Sequence, residues 1–417
     1  MTRSRIQPRA WLAFSMTGVL IVFGFLDRQL VVSLFPLLKA EWALSDTQLG
    51  TIVSASFLAI AISALPTGLL VDRSNRVNAI ALMTVGWSTA TLACALCRNF
   101  EQLVAARVFL GLAEAGLIAA AGALLTCYFP RRMHGGILGA VTAFAALGGL
   151  FGVALGGTLA AKWGWQAAFV ICGAPSFLVA GIYWAIVRDI GEDGAPSAGS
   201  ATKQPPDLRA LLNRSSLAVY LGCSLQLLLS SALMAWIPSF LGRYHGLSVQ
   251  KAALATAAVF LAGVVGMVFW GVVADRLSKR NGANRLLVPS ALSLASFGLV
   301  QVVVGVESST AVALGALAGA SFVIAGVLGP GMSALVDVVR PDSRAASMSA
   351  LTFAQNLLGQ AVGPVLAGAL SDAYGLLDAL WMVSGASLGA AVVFWLGTRG
   401  YERDVAALQA GAAASRP

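Results

Sequence analysis

Four ionisable residues stand inside long apolar runs of this sequence: Asp27 and Arg28 in the first run, Arg107 and Glu114 in the fourth. A charge placed mid-span in a membrane costs roughly 2.5–3.5 kcal/mol on insertion scales unless it faces a cavity and a partner. Residues kept at that cost have two uses. An arginine holds an anionic group, and a carboxyl takes up and releases a proton. Burial and a neighbouring arginine act in opposite directions on a carboxyl's proton affinity, so a movement that alters the pair alters that affinity. Arg107 and Glu114 are seven residues apart, two helical turns along one face, with Gly111 between them leaving room for a side chain or ligand. Asp27 lies about 24 Å along a helix counted from Trp11, and Arg107 roughly 8 Å below the opposite surface, at 1.5 Å per residue. In a hydrocarbon core of about 30 Å these heights nearly coincide, so Asp27 and Arg107 can form an ion pair if their helices are neighbours. Glu114 falls near the midplane. The alternative is a network that only fixes helix packing, but buried ion pairs are weak stabilisers.

The elements that carry these residues are membrane spans. The chain is 58% hydrophobic and 11% charged, with a mean hydropathy of +0.82. A soluble domain carries roughly 25% charged residues. Apolar runs long enough to cross a bilayer recur near 11–38, 47–71, 77–97, 102–129, 136–160, 165–187, 215–241, 248–274, 286–305, 310–338, 346–371 and 377–397. Strand alternation is absent, which argues against a barrel. With the N-terminus inside, the inner segments hold 20 lysines and arginines and the outer segments 5. This bias places both termini in the cytoplasm and accounts for the net charge of +9 without a nucleic-acid partner. The Gly-, Ser- and Pro-rich stretch 189–214 reads as a cytoplasmic linker between two six-span halves, 1–188 and 215–398. The Ala-rich stretch 399–417 reads as a short mobile tail.

The halves repeat one another. Gly68-Leu-Leu-Val-Asp72-Arg73-Ser-Asn-Arg76 recurs as Gly271-Val-Val-Ala-Asp275-Arg276-Leu-Ser-Lys279-Arg280, at an offset of 203 from Asp72 to Asp275. Gly148, Gly152 and Gly157 recur as Gly359, Gly363 and Gly368, and Pro130 as Pro341, all at an offset of 211. Such small residues let helices pack closely in lipid, with or without a role in rocking between states. A two-halved helical membrane protein is most often a transporter with its site between the halves. Asp72 sits at a helix end beside Arg73, Arg76 and the nearby Arg131, and Asp275 beside Arg276. Such pairs can latch the cytoplasmic side in one state and break in the other. A plain positive-inside loop explains the arginines but not the aspartate in both copies.

At the 211 offset Arg107 and Glu114 become Ala318 and Ala325. The second half offers neutral groups instead: Gln226, Ser230 and Ser231 in span seven, Gln355, Asn356 and Gln360 in span eleven, and Trp236 to enclose a ligand. Each is as suited to a helix–helix hydrogen bond as to a ligand contact. The five cysteines, Cys94-x-x-Cys97 included, fit as buried small hydrophobes. His134 and His245 fall in loops without companion ligands, so no metal site or cofactor is expected. The spans hold no hydrolytic or metal set for an enzyme, and no phosphate-binding Gly-x4-Gly-Lys-Ser/Thr loop for ATP-driven transport.

The double Gly-x3-Asp-Arg-x2-Arg loop resembles the signature of the major facilitator superfamily over essentially the whole chain. Phe25-Leu-Asp27-Arg28-Gln29, Leu44-Ser-Asp-Thr-Gln-Leu-Gly50 and Arg107-x3-Gly111-x2-Glu114-Ala115-Gly116 are similar to bacterial Spinster-like proteins. The span-four pattern and Tyr128-Phe-Pro-Arg131 also resemble the anion:cation symporters. The drug-exporter motif of span five is altered, with Val153 where proline would stand. The resemblance implies a carrier of twelve transmembrane helices working by alternating access; the expectation is an all-α protein of two pseudo-symmetric six-helix bundles, a monomer in the bacterial inner membrane. It implies a proton-linked carrier of an amphipathic or lipid-like anion, such as a lysolipid or sphingoid phosphate. Asp27 and Glu114 would carry protons. Arg28, Arg107, Gln226, Trp236, Gln355 and Asn356 would meet the substrate. The rival expectation is an importer of small carboxylates.

Overall fold

In hydrocarbon every backbone N–H and C=O must be satisfied within its own segment, so apolar runs of this length become helices. The computed structural model describes residues 8–130, 133–191, 212–278, 282, 284–305, 309–340 and 343–414. Its α-helices are α1 (Pro8–Leu30), α2 (Phe35–Trp42), α3 (Asp46–Arg73), α4 (Arg76–Leu96), α5 (Phe100–Glu114), α6 (Leu117–Tyr128), α7 (His134–Trp163), α8 (Trp165–Gly191), α9 (Arg214–His245), α10 (Val249–Ser278), α11 (Asn284–Gly305), α12 (Thr310–Ala325), α13 (Leu328–Val338), α14 (Arg344–Ala354), α15 (Val362–Tyr374) and α16 (Leu376–Ala414). No strand occurs among the described residues.

Among the described residues, eleven stretches are each long and apolar enough to cross a membrane. The expected eleventh span, 346–371, is not one of them, because it is divided. α14, a π-helical segment Gln355–Gln360 and α15 follow one another over 344–374. Together they have the length of a span and bring the count to twelve.

The chain forms two compact units. One is Met1–Leu44, Ala55–Ala201 and Gly246–Ala257, and the other is Ser45–Ser54, Thr202–His245 and Ala258–Pro417. In the first, α1 packs on α7 and α8, and α4 on α5 and α8. In the second, α9 packs on the π-helical segment, α15 and α16, and α11 on α12 and α16. The two patterns match under the sequence repeat. The first core is built around Leu20, Ile21, Trp87, Leu124 and Tyr183, the second around Val219, Cys223, Leu286, Leu335 and Phe394. Large apolar side chains such as Leu82, Leu178 and Val268 stay exposed, as expected of surfaces that face lipid.

The repeat extends to backbone detail. α5 ends at Glu114 and α6 begins at Leu117, while α12 ends at Ala325 and α13 begins at Leu328, each 211 residues on. Gly164 and Gly375, also 211 apart, end α7 and α15 at φ +84° and +90°, a region that favours glycine. A Cβ on Gly148 or Gly152 would run into the carbonyls of Val22 or Leu26 on α1. One on Gly359 or Gly363 would run into those of Ser224 or Leu228 on α9. The glycine stripes therefore seat equivalent helix pairs.

Two expectations meet different outcomes. The linker 189–214 lies mostly outside the described residues. In the stretch after Arg399, α16 continues to Ala414. Alanine is the strongest helix former, and the helix runs through Gly400 and Gly411 without a break. Tyr401 is buried and donates to Asp337 at 2.8 Å, and the Ser215 hydroxyl donates to Asp404 at 2.6 Å.

Candidate functional site

The four mid-span charges meet inside the first unit, in an arrangement that differs from the expected pairing. Arg107 is fully buried and does not reach the Asp27 carboxylate. Its terminal nitrogens donate instead to the backbone carbonyls of Asp27, at 3.3 Å, and Arg28, at 2.9 Å. Consecutive residues on a helix point about 100° apart. Asp27 and Arg28 thus diverge, and the carbonyls they leave near the end of α1 are what Arg107 finds. The 3₁₀ turn Val31–Leu34 follows directly and loosens this end of the helix.

Arg28 takes the other direction and pairs with Glu114. One guanidinium nitrogen lies 2.7 Å from Oε1, and Nε donates to Oε2 at 3.2 Å, a two-point contact between planar groups. The Glu114 side chain is 1% exposed and that of Arg28 12%, so the arginine is the member that can be approached. Its guanidinium also lies 4.5 Å from the Phe25 ring centre and 5.5 Å from that of Phe57. Gly24 makes room for Glu114: a Cβ there would come within 3.3 Å of Oε1. Asp27 is fully buried, and neither carboxylate oxygen has a hydrogen-bond partner. The polar groups facing it are Thr91, Ser176, Glu114 and Arg107.

Gly111 does not leave space for a ligand. Its Cα face lies against the Ser56 carbonyl and Ala59, so it lets α5 pack closely on α3. The charged face of α5 is thereby held at a fixed distance from α3.

In the second unit the neutral candidates are mostly engaged. Gln226 donates to Ser296 at 3.0 Å and accepts from Ser387 at 2.8 Å. Trp236 is fully buried and donates to the Pro364 carbonyl at 3.0 Å. Both act as helix–helix hydrogen bonds, the alternative open to them from sequence. Asn356 donates to the Thr352 carbonyl at 2.9 Å and accepts from Gln360 at 3.1 Å within the π-helical region. Gln355 is half-buried beside it.

Of the loop residues, Arg76 donates to the Ala123 carbonyl at 3.4 Å and to Cys127 at 3.1 Å, so it ties α4 to α6. Asp275 and Arg276 are exposed and make no ion pair among the described residues. Asp72 and Arg73 lie at the end of α3, and Arg131 lies outside the described residues.

One polar cluster escaped the sequence. In the second unit, where α9 ends and α3 begins, Arg243 holds Asp46 through two contacts of 2.6 Å, and Ser371 donates to the same carboxylate. Asp372 accepts from the amides of Asp46 and Thr47 at 2.8 Å and from the Thr47 hydroxyl at 2.6 Å, capping the start of α3. Partial burial disfavours the charged Asp372 carboxylate, but these donors outweigh it and hold the group below the usual range. The residues come from three segments far apart in sequence, so no spacing announces them.

Two repeated helical units with ion-paired, membrane-buried charges define an integral transport protein rather than an enzyme. Residues 17–359 match the Major Facilitator Superfamily, and the chain belongs to that family. An MFS-type efflux pump of Mycolicibacterium smegmatis is 28% identical and aligns over 95% of this chain and 94% of its own. The hexuronate transporter of Bacillus subtilis is 25% identical over 95% of each chain. The probable sulfoacetate transporter of Cupriavidus necator is 26% identical over 93% of each. The fold is similar to that of a bacterial homolog of the human lysosomal transporter Spinster, in an inward-facing and occupied conformation, with a TM-score of 0.87 at 22% identity, covering 95% of this chain and 98% of that one.

Proposed function

We propose that the chain is a proton-linked secondary transporter of an organic anion, working by alternating access in a bacterial inner membrane with both termini in the cytoplasm. The carrying observation is the Arg28–Glu114 pair. Glu114 occupies the guanidinium from the buried side, while Phe25 and Phe57 lie beside it. A proton taken up by Glu114 weakens the pair and leaves Arg28 free for the anionic group of a substrate. Loss of the proton restores the pair and releases the substrate. Arg107 positions this end of α1 through its two carbonyl contacts, rather than meeting the substrate. Asp27 is a second proton site, whose ionisation state changes without breaking an ion pair.

The substrates of the relatives, sulfoacetate and hexuronate among them, are compact organic acids. They support the small-carboxylate reading over the lipid-like one. Gln355 and Asn356 are the remaining candidates for neutral contacts. Asp72, Arg73, Arg76, Arg131, Asp275 and Arg276 are candidate cytoplasmic latches.

The test is flux into liposomes driven by an imposed pH gradient, with a panel of small carboxylates and sulfonates and with lysolipids. Glu114→Gln should abolish pH-driven flux, and Asp27→Asn should flatten its pH profile. Full pH-driven flux in both variants would refute proton linkage through these residues. Uptake of lysolipid alone would replace the substrate class.

A further inference from the structure

A basic cleft of about 500 Å³ opens in the second unit, where the start of α9 meets the late turns of α16. It belongs to neither the charged site nor the polar cluster around Asp46. Its rim carries Arg214, Arg399 and Arg403. Arg399 and Arg403 stand one turn apart on one face of α16. All three are exposed, and none makes an ion pair among the described residues. The one acid in the lining among the described residues, Asp404, is already used: its Oδ2 accepts from the Ser215 amide at 3.2 Å and the Ser215 hydroxyl at 2.6 Å.

The depth is that of lipid headgroups. Counting from Leu376, a core of about 30 Å is crossed in roughly 20 residues, which ends near Trp395–Gly397. Trp395 is 47% exposed, and the Arg399 guanidinium lies 4.3 Å from its ring centre. Tryptophan beside arginine is the arrangement found at the membrane–water boundary. Glycines shape the cleft. A Cβ on Gly397 would come within 2.7 Å of the Ala218 Cβ, so α9 and α16 touch there. Around Gly400 the nearest atoms would be 3.8 Å away, so the helices part above that contact. Below the arginines the wall turns apolar through Val393 and Leu396, and Leu217, Leu221 and Val392 continue it as exposed side chains.

We propose that this cleft binds an anionic phospholipid. Its phosphodiester would sit among Arg214, Arg399 and Arg403, and its acyl chains would lie along the apolar side chains of α9 and α16. Arginine forks match phosphate oxygens, and basic pockets between spans at headgroup depth are where such lipids dock. Inorganic phosphate shares the headgroup chemistry but cannot use the apolar wall.

The experiment is native mass spectrometry and thermal unfolding of the purified full-length protein in detergent. The additions are cardiolipin, phosphatidylglycerol, phosphatidylcholine or inorganic phosphate. The anionic lipids should bind and raise Tm, whereas phosphatidylcholine and phosphate should not. Arg399→Gln/Arg403→Gln should weaken lipid binding about tenfold or more, and Arg399→Lys/Arg403→Lys should restore part of it. Arg98→Gln, a basic residue elsewhere, should change nothing. If the double glutamine variant fails to fold, Gly400→Leu, which fills the cleft and keeps every charge, should give the same loss. Equal lipid binding by these cleft variants and the parent would overturn the proposal, as would phosphate alone matching the lipids.

Discussion

The α5–α6 break in the first unit and the α12–α13 break in the second are the same backbone feature, 211 residues apart, with different chemistry on it. The first ends on Glu114, paired with Arg28 and two turns along the same face from Arg107. The second ends on Ala325, and its counterpart of Arg107 is Ala318. Charge in the second unit has gone to the helix ends instead, to Asp46, Arg243 and Asp372 at one end and Arg285, Asp337 and Asp404 at the other. A duplicated scaffold supplied two equivalent mid-depth positions, and only one carries charge. The glycine stripes and helix breaks therefore report architecture, and the unduplicated charges carry the proposed site.

The contrast can be broken at several points. Arg28→Ala should have the largest effect. It leaves Glu114 buried without its partner, at about 3–5 kcal/mol. Tm in detergent should fall and flux should be lost, with Arg28→Lys recovering stability but little flux. Retained flux in Arg28→Ala would remove the arginine from the substrate site. Ala325→Glu places a carboxylate at the equivalent break with no arginine to meet it. It should cost about 2.5–3.5 kcal/mol, read as reduced expression and Tm. If it is tolerated, the second unit also has a water-filled cavity at that depth, and the asymmetry drawn here is too strong.

Gly111→Val should cost about 1–3 kcal/mol by forcing α5 away from α3. It should lower flux by moving Glu114 and Arg107 together. An unchanged Tm would mean that Gly111 faces free space after all. The smallest effect belongs to Asp372→Asn, which weakens a helix cap by about 1 kcal/mol. Because its carboxyl is held below the usual range, the cap's contribution is complete above the ordinary aspartate pKa and is lost only as pH falls through the lowered one. It should stay constant between pH 5 and 8. Any pH dependence of flux in that range must then come from elsewhere, and Asp372→Asn should leave that profile in place.

Much of this was legible in the chain. The spans and the offset of 211 follow from length, hydropathy and glycine spacing, because bilayer thickness and close helix contact constrain those directly. The four buried charges of the candidate site were legible too, since charge in an apolar run is rare and costly. Its wiring was not. Helical rise placed Asp27 and Arg107 at one height but not on facing directions, and the carboxylate of Asp27 turned toward Thr91 and Ser176 while Arg107 took backbone carbonyls.

By itself, the sequence determined which residues lie in the membrane, that they form helices, that the helices repeat, and where charge is spent. These depend on local energies of transfer and on backbone satisfaction, which each segment meets alone. Only the tertiary structure decided that Arg28 pairs with Glu114, that Asp27 faces Thr91 and Ser176, that Gln226 and Trp236 are occupied by other helices, and that Asp46 meets Arg243. Those outcomes depend on helix rotation and on which distant segments become neighbours, and no single segment encodes either.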